Sequence, residues 1–170
     1  MGKICLNLAI SLDGFIEGPD GSFDWCFTDQ DYGMTEFLGQ TEAILFGRKS
    51  FQVLKEMDSD PYPDKLKYIY SNTLTYSGKN LLTISDHAVE RTLDLKKEYE
   101  KDLWLFGGAK LIAEMQKADL IDEYILSIHP ILLGAGKRLF SSDQEKLLLK
   151  LLSTKEYSSG LVQLHYSRKQ

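Results

Sequence analysis

Gly107 and Gly108 close a short apolar run, Leu103-Trp104-Leu105-Phe106, and an amphipathic run beginning Ala109-Lys110-Leu111 follows at once. That pattern is a strand handing its end to a helix N-terminus. Glycines at such a turn let a diphosphate approach backbone N–H groups, and the helix dipole favours the negative charge. The pair lacks the full G-x-G-x-x-G spacing, and glycine also serves strand-to-helix turns through its φ angle alone. Two further strand ends carry compatible chemistry. In Phe46-Gly47-Arg48-Lys49-Ser50 a glycine ends an apolar run, and two cations and a hydroxyl open the next helix. Cations in a first helical turn oppose the dipole, and a bound anion would offset that penalty; the alternative is solvated surface charge. In Tyr70-Ser71-Asn72 short polar side chains follow a strand, as they also do in ordinary turns. Ligands of open α/β sheets bind beyond the carboxyl ends of the strands, so the three ends together point to a nucleotide.

Two other places carry candidate groups. Asp13, in Ser11-Leu12-Asp13-Gly14, leaves the first apolar run and could orient a substrate or relay a proton, although Asp-Gly is also a common turn. Lys137 and Arg138 follow the glycine-rich segment His129 to Gly136 and could meet a substrate phosphate, or stand as surface cations. His87, His129 and His165 read as structural residues at a helix start, a strand end and the final strand. Cys5 and Cys26 have no metal-ligand spacing, and no metal site is expected. A net charge of -5 argues against a broad nucleic-acid surface. No window reaches membrane-span length, and no signal-peptide core is seen, so a cytoplasmic protein is expected.

The elements that must position these groups follow from the apolar pattern. Strands are predicted over 3–10, 43–46, 68–70, 81–84, 103–106, 123–133, 147–157 and 161–167. Helices are predicted over 48–55, 88–101 and 110–117, with a further helix opened by Thr28 and Asp31 at capping-box spacing and running to about Gly39. Residues 11–24 and 58–64 read as loops. The first two-thirds of the chain alternates strand with helix, which predicts parallel pairing. The last third is nearly all strand and is expected to finish the same sheet with antiparallel members. With 170 residues and no dividing linker, one domain over 1–170 is expected.

Taken together, Ser11-Leu12-Asp13-Gly14, Gly47-Arg48-Lys49-Ser50-Phe51, Phe106-Gly107-Gly108 and Pro130-Ile131-Leu132-Leu133-Gly134-Ala135-Gly136 resemble the dihydrofolate reductase-like superfamily. Within it the chain is most similar to the branch holding the C-terminal reductase domain of bifunctional riboflavin-biosynthesis proteins. The resemblance implies a three-layer α/β/α fold around a mixed sheet of about eight strands with an antiparallel C-terminal hairpin. It implies NADPH as hydride donor to a C=O or C=N group of a small heterocyclic or sugar-derived substrate. Ala9 and Ile10 would then lie near the nicotinamide, and Gly47, Arg48, Lys49 and Ser50 at the diphosphate and 2′-phosphate. Ser71 and Asn72 would assist at the adenosine end. The stretch Phe106, Gly107, Gly108, Ala109, Lys110 and Leu111 would close around the coenzyme from the other side. Asp13, Lys137 and Arg138 would face substrate, and the terminal strands and the 129–136 segment would pair in a homodimer. Where folate reductases place an acid on their first helix this chain has a position near Gly33, with no carboxylate. The zinc-deaminase pattern of the bifunctional proteins is missing. Dihydrofolate reduction, and a non-catalytic nucleotide-binding role on the same fold, are the competing readings.

Overall fold

The structure, a computed structural model, describes residues 1–58, 62–140 and 145–169. β1 (Ile4–Ser11), β3 (Thr41–Gly47), β4 (Leu66–Tyr70), β5 (Leu81–Ile84), β6 (Asp102–Gly107), β7 (Glu123–His129), β9 (Leu149–Glu156) and β10 (Val162–Arg168) form one sheet. Their order is β5-β4-β3-β6-β1-β7-β10-β9. The strands from β5 to β7 run parallel, and β10 and β9 close the sheet antiparallel. β2 (Phe15–Glu17) and β8 (Lys137–Arg138) make a separate two-stranded ribbon.

Burial explains why the central strands read as continuous apolar runs. Ala43, Ile44, Leu45 and Phe46 of β3 are fully buried, because helices cover both faces of a parallel sheet. Alternation divides the side chains between two cores. Leu45, Leu103, Leu105, Ile4 and Leu6 face α3 (Ala88–Glu98) and α4 (Ala109–Lys117), where Leu95, Leu111, Ile112 and Met115 pack against them. Ile44, Phe46 and Trp104 face the other way, toward Phe37 and Leu38 of α1 (Met34–Gln40) and Phe51 and Leu54 of α2 (Arg48–Met57). The result is the three-layer arrangement that the resemblance implied.

The differences are local. α1 starts at Met34 and not near Thr28: Gly33 precedes it in a left-handed conformation, and the Asp31 carboxylate accepts from Thr35 N (3.0 Å) and Thr35 Oγ1 (2.6 Å). The predicted loop over 11–24 contains β2, too short to show a period-2 pattern. β7 ends at His129 because Pro130, which has no N–H to give the ladder, follows it. β7 also pairs parallel with β1, so only the final hairpin supplies antiparallel members. Of the predicted 58–64 loop, residues 59–61 lie outside the described residues.

Candidate functional site

The strand ends meet. β3 and β6 pair in register from Ala43↔Leu103 to Leu45↔Leu105, and then Phe46 faces Gly107. One extra residue, Phe106, is thus accommodated in β6, a bulge that re-aims the strand end. Phe106 packs on Phe46 and Trp104, at ring distances of 4.7 and 5.0 Å. The bulge lays the Gly107-Gly108 turn against Gly47. A Cβ on Gly47 would stand 3.0 Å from Gly108 N, and one on Gly108 would stand 2.8 Å from Ser50 Oγ. Backbone therefore approaches backbone more closely than nearly all side chains would allow, and the Ser50 hydroxyl faces the turn. The Gly107–Gly108 peptide is cis. α4 starts at Ala109, and its first-turn N–H groups have no partners within the helix.

The second half of the rim adjoins the first. Gly47 pairs with Tyr70, so Ser71 and Asn72 leave β4 beside the start of α2. Ser71 is buried, and its hydroxyl accepts from Leu74 N at 3.0 Å, which fixes the turn. Both residues line a groove of about 180 Å³ shared with Ser85, Asp86, His87 and Glu114, the last of these on α4. Arg48 is half-buried and donates to Gln52 Oε1 at 2.9 Å, one turn further along α2. Lys49 and Lys110 are exposed. Leu111 is a core residue, so only its backbone could reach a ligand.

Asp13, Lys137 and Arg138 lie around the β2–β8 ribbon, past the C-terminal end of β1, which is the parallel neighbour of β6. The Asp13 carboxylate accepts from Ser11 Oγ (2.7 Å), Leu133 N (3.1 Å) and Gly134 N (2.7 Å). The Ser11 hydrogen bond, joined by those of Gly134 and Leu133, outweighs desolvation and holds its pKa down to about 2. Such a carboxylate is ionised at neutral pH and has no proton to donate. Lys137 Nζ is paired with Glu17 Oε1 at 2.8 Å, and the Arg138 guanidinium lies 4.6 Å over the Phe15 ring. These contacts engage both cations within the ribbon, and a phosphate would have to compete for them.

A polar and aromatic cluster on the face of α1 has little sequence signal. His129 accepts the Phe27 N–H at Nε2 (3.1 Å), so its Nδ1 carries the proton and donates to Ser127 O (3.0 Å). Burial lowers its pKa, and the ring is neutral. Trp25, Phe27, Tyr32 and Tyr157 continue the cluster through ring contacts of 4.8 to 6.5 Å. At the opposite end of the sheet His165 meets Glu123 at 2.8 Å, so two of the histidines read as structural have defined partners. Alternation along β7 would have put Ser127 and His129 on one face. The loop aromatics that cover them have no periodicity to read.

A mixed sheet in this order with glycine-built strand ends defines a dihydrofolate reductase-like α/β protein. A dihydrofolate reductase from Enterococcus faecalis complexed with NADP(H) shares the fold, with a TM-score of 0.74 at 17% identity over 99% of this chain and 97% of that one. A putative riboflavin biosynthesis protein from Shewanella sp. PV-4 superposes with a TM-score of 0.88 at 26% identity, covering 99% of both chains. The uncharacterised protein YyaP of Bacillus subtilis is 43% identical over 96% of this chain and 94% of its own length. Residues 2–163 match the RibD C-terminal domain model, and the chain belongs to that family. A deaminase/5-amino-6-(5-phosphoribosylamino)uracil reductase from Thermotoga maritima has the same fold, with a TM-score of 0.74 at 14% identity over 99% of this chain and 57% of that one. Among the described residues no group of His, Cys, Asp and Glu is placed to hold a metal ion, and no helix is long and apolar enough to cross a membrane.

Proposed function

We propose that the chain is an NADPH-dependent reductase of a small heterocyclic or sugar-derived substrate, of the riboflavin-pathway pyrimidine kind. The observation that carries this reading is the contact of Gly47 with Gly107-Gly108, with the Ser50 hydroxyl beside it. That contact assembles a side-chain-free cradle at the N-termini of α2 and α4, which suits a diphosphate. Arg48 and Lys49 stand at the next position along the rim, where a 2′-phosphate would offset their repulsion with the α2 dipole. Ser71 and Asn72 line the groove that would take the adenosine end. Ala9 and Ile10, near the end of β1, would flank the nicotinamide.

The coenzyme, when bound, supplies a hydride; the protein's contribution is alignment and exclusion of water. Asp13 acts in this reading as a positioning residue that ties the exit of β1 to the 130–134 segment, not as the acid. Lys137 and Arg138 would hold a substrate phosphate only by releasing Glu17 or Phe15. The proton for the acceptor then comes from water or from a group outside this set. The lack of a carboxylate near Gly33 disfavours dihydrofolate, whose neutral 2-amino and ring N–H donors would have no carboxylate there to receive them. A second copy of the chain, docked on the exposed C-terminal hairpin, would complete a homodimer.

Titration calorimetry with NADPH and NADH tests the coenzyme reading. Arg48→Ala and Lys49→Ala are each expected to weaken NADPH binding by about tenfold, the scale of one charge-assisted contact, and to leave NADH binding nearly unchanged. Unaltered NADPH affinity in both variants would remove the phosphate assignment.

A further inference from the structure

The face of the sheet beyond Ala9 carries groups that the coenzyme reading does not use. Ala9 pairs with Ser127 and Ser127 pairs with Gln163, so the three stand in one row on one face. Strands lie about 4.8 Å apart, which puts the Gln163 backbone about 10 Å from that of Ala9. The Gln163 amide is fixed in orientation, because Nε2 donates to Ser127 Oγ (3.1 Å) and to Tyr32 O (3.3 Å). Its Oε1 is left facing Gly33. The Tyr157 ring is held by the Tyr32 edge at 4.8 Å and by the Lys155 ammonium at 4.9 Å. A Cβ on Gly33 would stand 3.6 Å from Tyr157 Oη and 4.0 Å from Gln163 Oε1, and at φ +79° this position favours glycine. Both oxygens thus border the gap that the missing side chain leaves.

Tyr157 Oη is buried and has no hydrogen-bond partner, and neither has Trp25 Nε1 in the same cluster. An unpartnered buried hydroxyl costs about 1–3 kcal/mol, so a fold that keeps one beside a gap calls for an explanation. The nearby carboxylates are engaged: Asp29 accepts from Tyr32 Oη at 2.6 Å, and Asp31 caps α1.

We propose that Tyr157 and Gln163, bordering the gap at Gly33, are specificity-determining residues that read the hydrogen-bonding edge of the acceptor ring. The phenol O–H donates to a ring carbonyl, and the amide oxygen accepts from a ring N–H. The pair is neutral, so it selects an uncharged cyclic amide over a ring that binds as a cation. This inference rests on the reductase reading, which places the nicotinamide beside Ala9.

The test uses 5,6-diaminouracil as the probe, titrated by calorimetry against the whole protein with and without saturating NADPH. Trimethoprim, whose diaminopyrimidine ring binds as a cation, is the contrast. Tyr157→Phe removes one oxygen. It is expected to raise the melting temperature, because the unpartnered hydroxyl is gone, to leave NADPH affinity unchanged, and to weaken the probe by about fivefold, the worth of one neutral hydrogen bond. Gln163→Leu is expected to weaken the probe by about tenfold. Equal probe affinity in wild type and Tyr157→Phe overturns the proposal. So does a wild-type protein that binds NADPH and not the probe, tighter binding of trimethoprim than of the probe, or a Tyr157→Phe variant that melts lower. Failure of the wild type to bind NADPH sinks the reductase reading instead, and the coenzyme-free probe titrations distinguish that failure from failure of this proposal.

Discussion

Asp13 sits where the exit of β1 meets the 130–134 segment, and its three hydrogen bonds join the two. The residue type alone fits an acid, a substrate contact or a turn, and the partners decide among these roles. Because its folded pKa is about 2, below the ordinary 3.8, the contribution to stability is fully present above about pH 4. It is lost as the pH falls from there through 2. Asp13→Asn keeps one acceptor oxygen and loses the charge. We expect the variant to melt lower than wild type at pH 7, and the difference to shrink steadily between pH 4 and pH 2. Thermal melts across that range followed by circular dichroism check it. A difference that stays constant to pH 2 would show that the carboxylate charge plays no part in holding the loops.

At the scale of elements, the site depends on how β3 and β6 end. The bulge at Phe106 and the missing side chains of Gly47 and Gly108 let two strand-to-helix turns share one rim. Gly47→Ala would force a methyl to 3.0 Å from Gly108 N, a backbone atom that cannot swing aside. Overpacking of this kind costs about 1–3 kcal/mol. In a chain of this size that is a melting temperature lower by roughly 3–10 °C. NADPH affinity is expected to fall by at least about tenfold, since the cradle itself would open. Differential scanning fluorimetry and calorimetry on the same variant report both effects, and a variant with normal melting and normal coenzyme binding would show that the close approach is not needed. This part of the fold was legible in the sequence, because buried parallel strands are unbroken apolar runs and a glycine marks each end. The run Ile44-Leu45-Phe46-Gly47 names both the strand and its exit. The remainder was not legible for physical reasons. The β2–β8 ribbon is two or three residues per strand, below the length at which period-2 alternation shows. The parallel pairing of β7 is set by its position after the α4 crossover, not by its composition. The cluster of Trp25, His129, Tyr32, Tyr157 and Gln163 is assembled from separate segments, and no spacing within any one of them predicts it.

At the scale of the whole molecule, the described residues leave one edge of the sheet uncovered. β9 is an edge strand, and Leu148, Leu151 and Leu152 beside or within it are 57%, 50% and 44% exposed. An apolar edge of this kind is a liability in a monomer, and natural proteins cover or guard it. A second copy is the occupant that needs nothing else, since a twofold axis brings the same patch to itself. Light scattering after gel filtration is therefore expected to give twice the 19.4 kDa of one chain. Leu151→Glu combined with Leu152→Glu is expected to give the single-chain mass with an unchanged far-ultraviolet spectrum. The same hairpin carries Tyr157 immediately after β9 and Gln163 within β10, so the interface and the proposed ring-reading pair share one element. The glycine rim at β3 and β6 lies on the far side of β1 and β7 from it. Dissociation should then weaken the 5,6-diaminouracil probe while leaving NADPH affinity at the wild-type value. A wild-type chain that runs as a monomer at micromolar concentration would refute the dimer. A monomeric variant that binds both ligands normally would show that the hairpin holds Tyr157 without help from a partner.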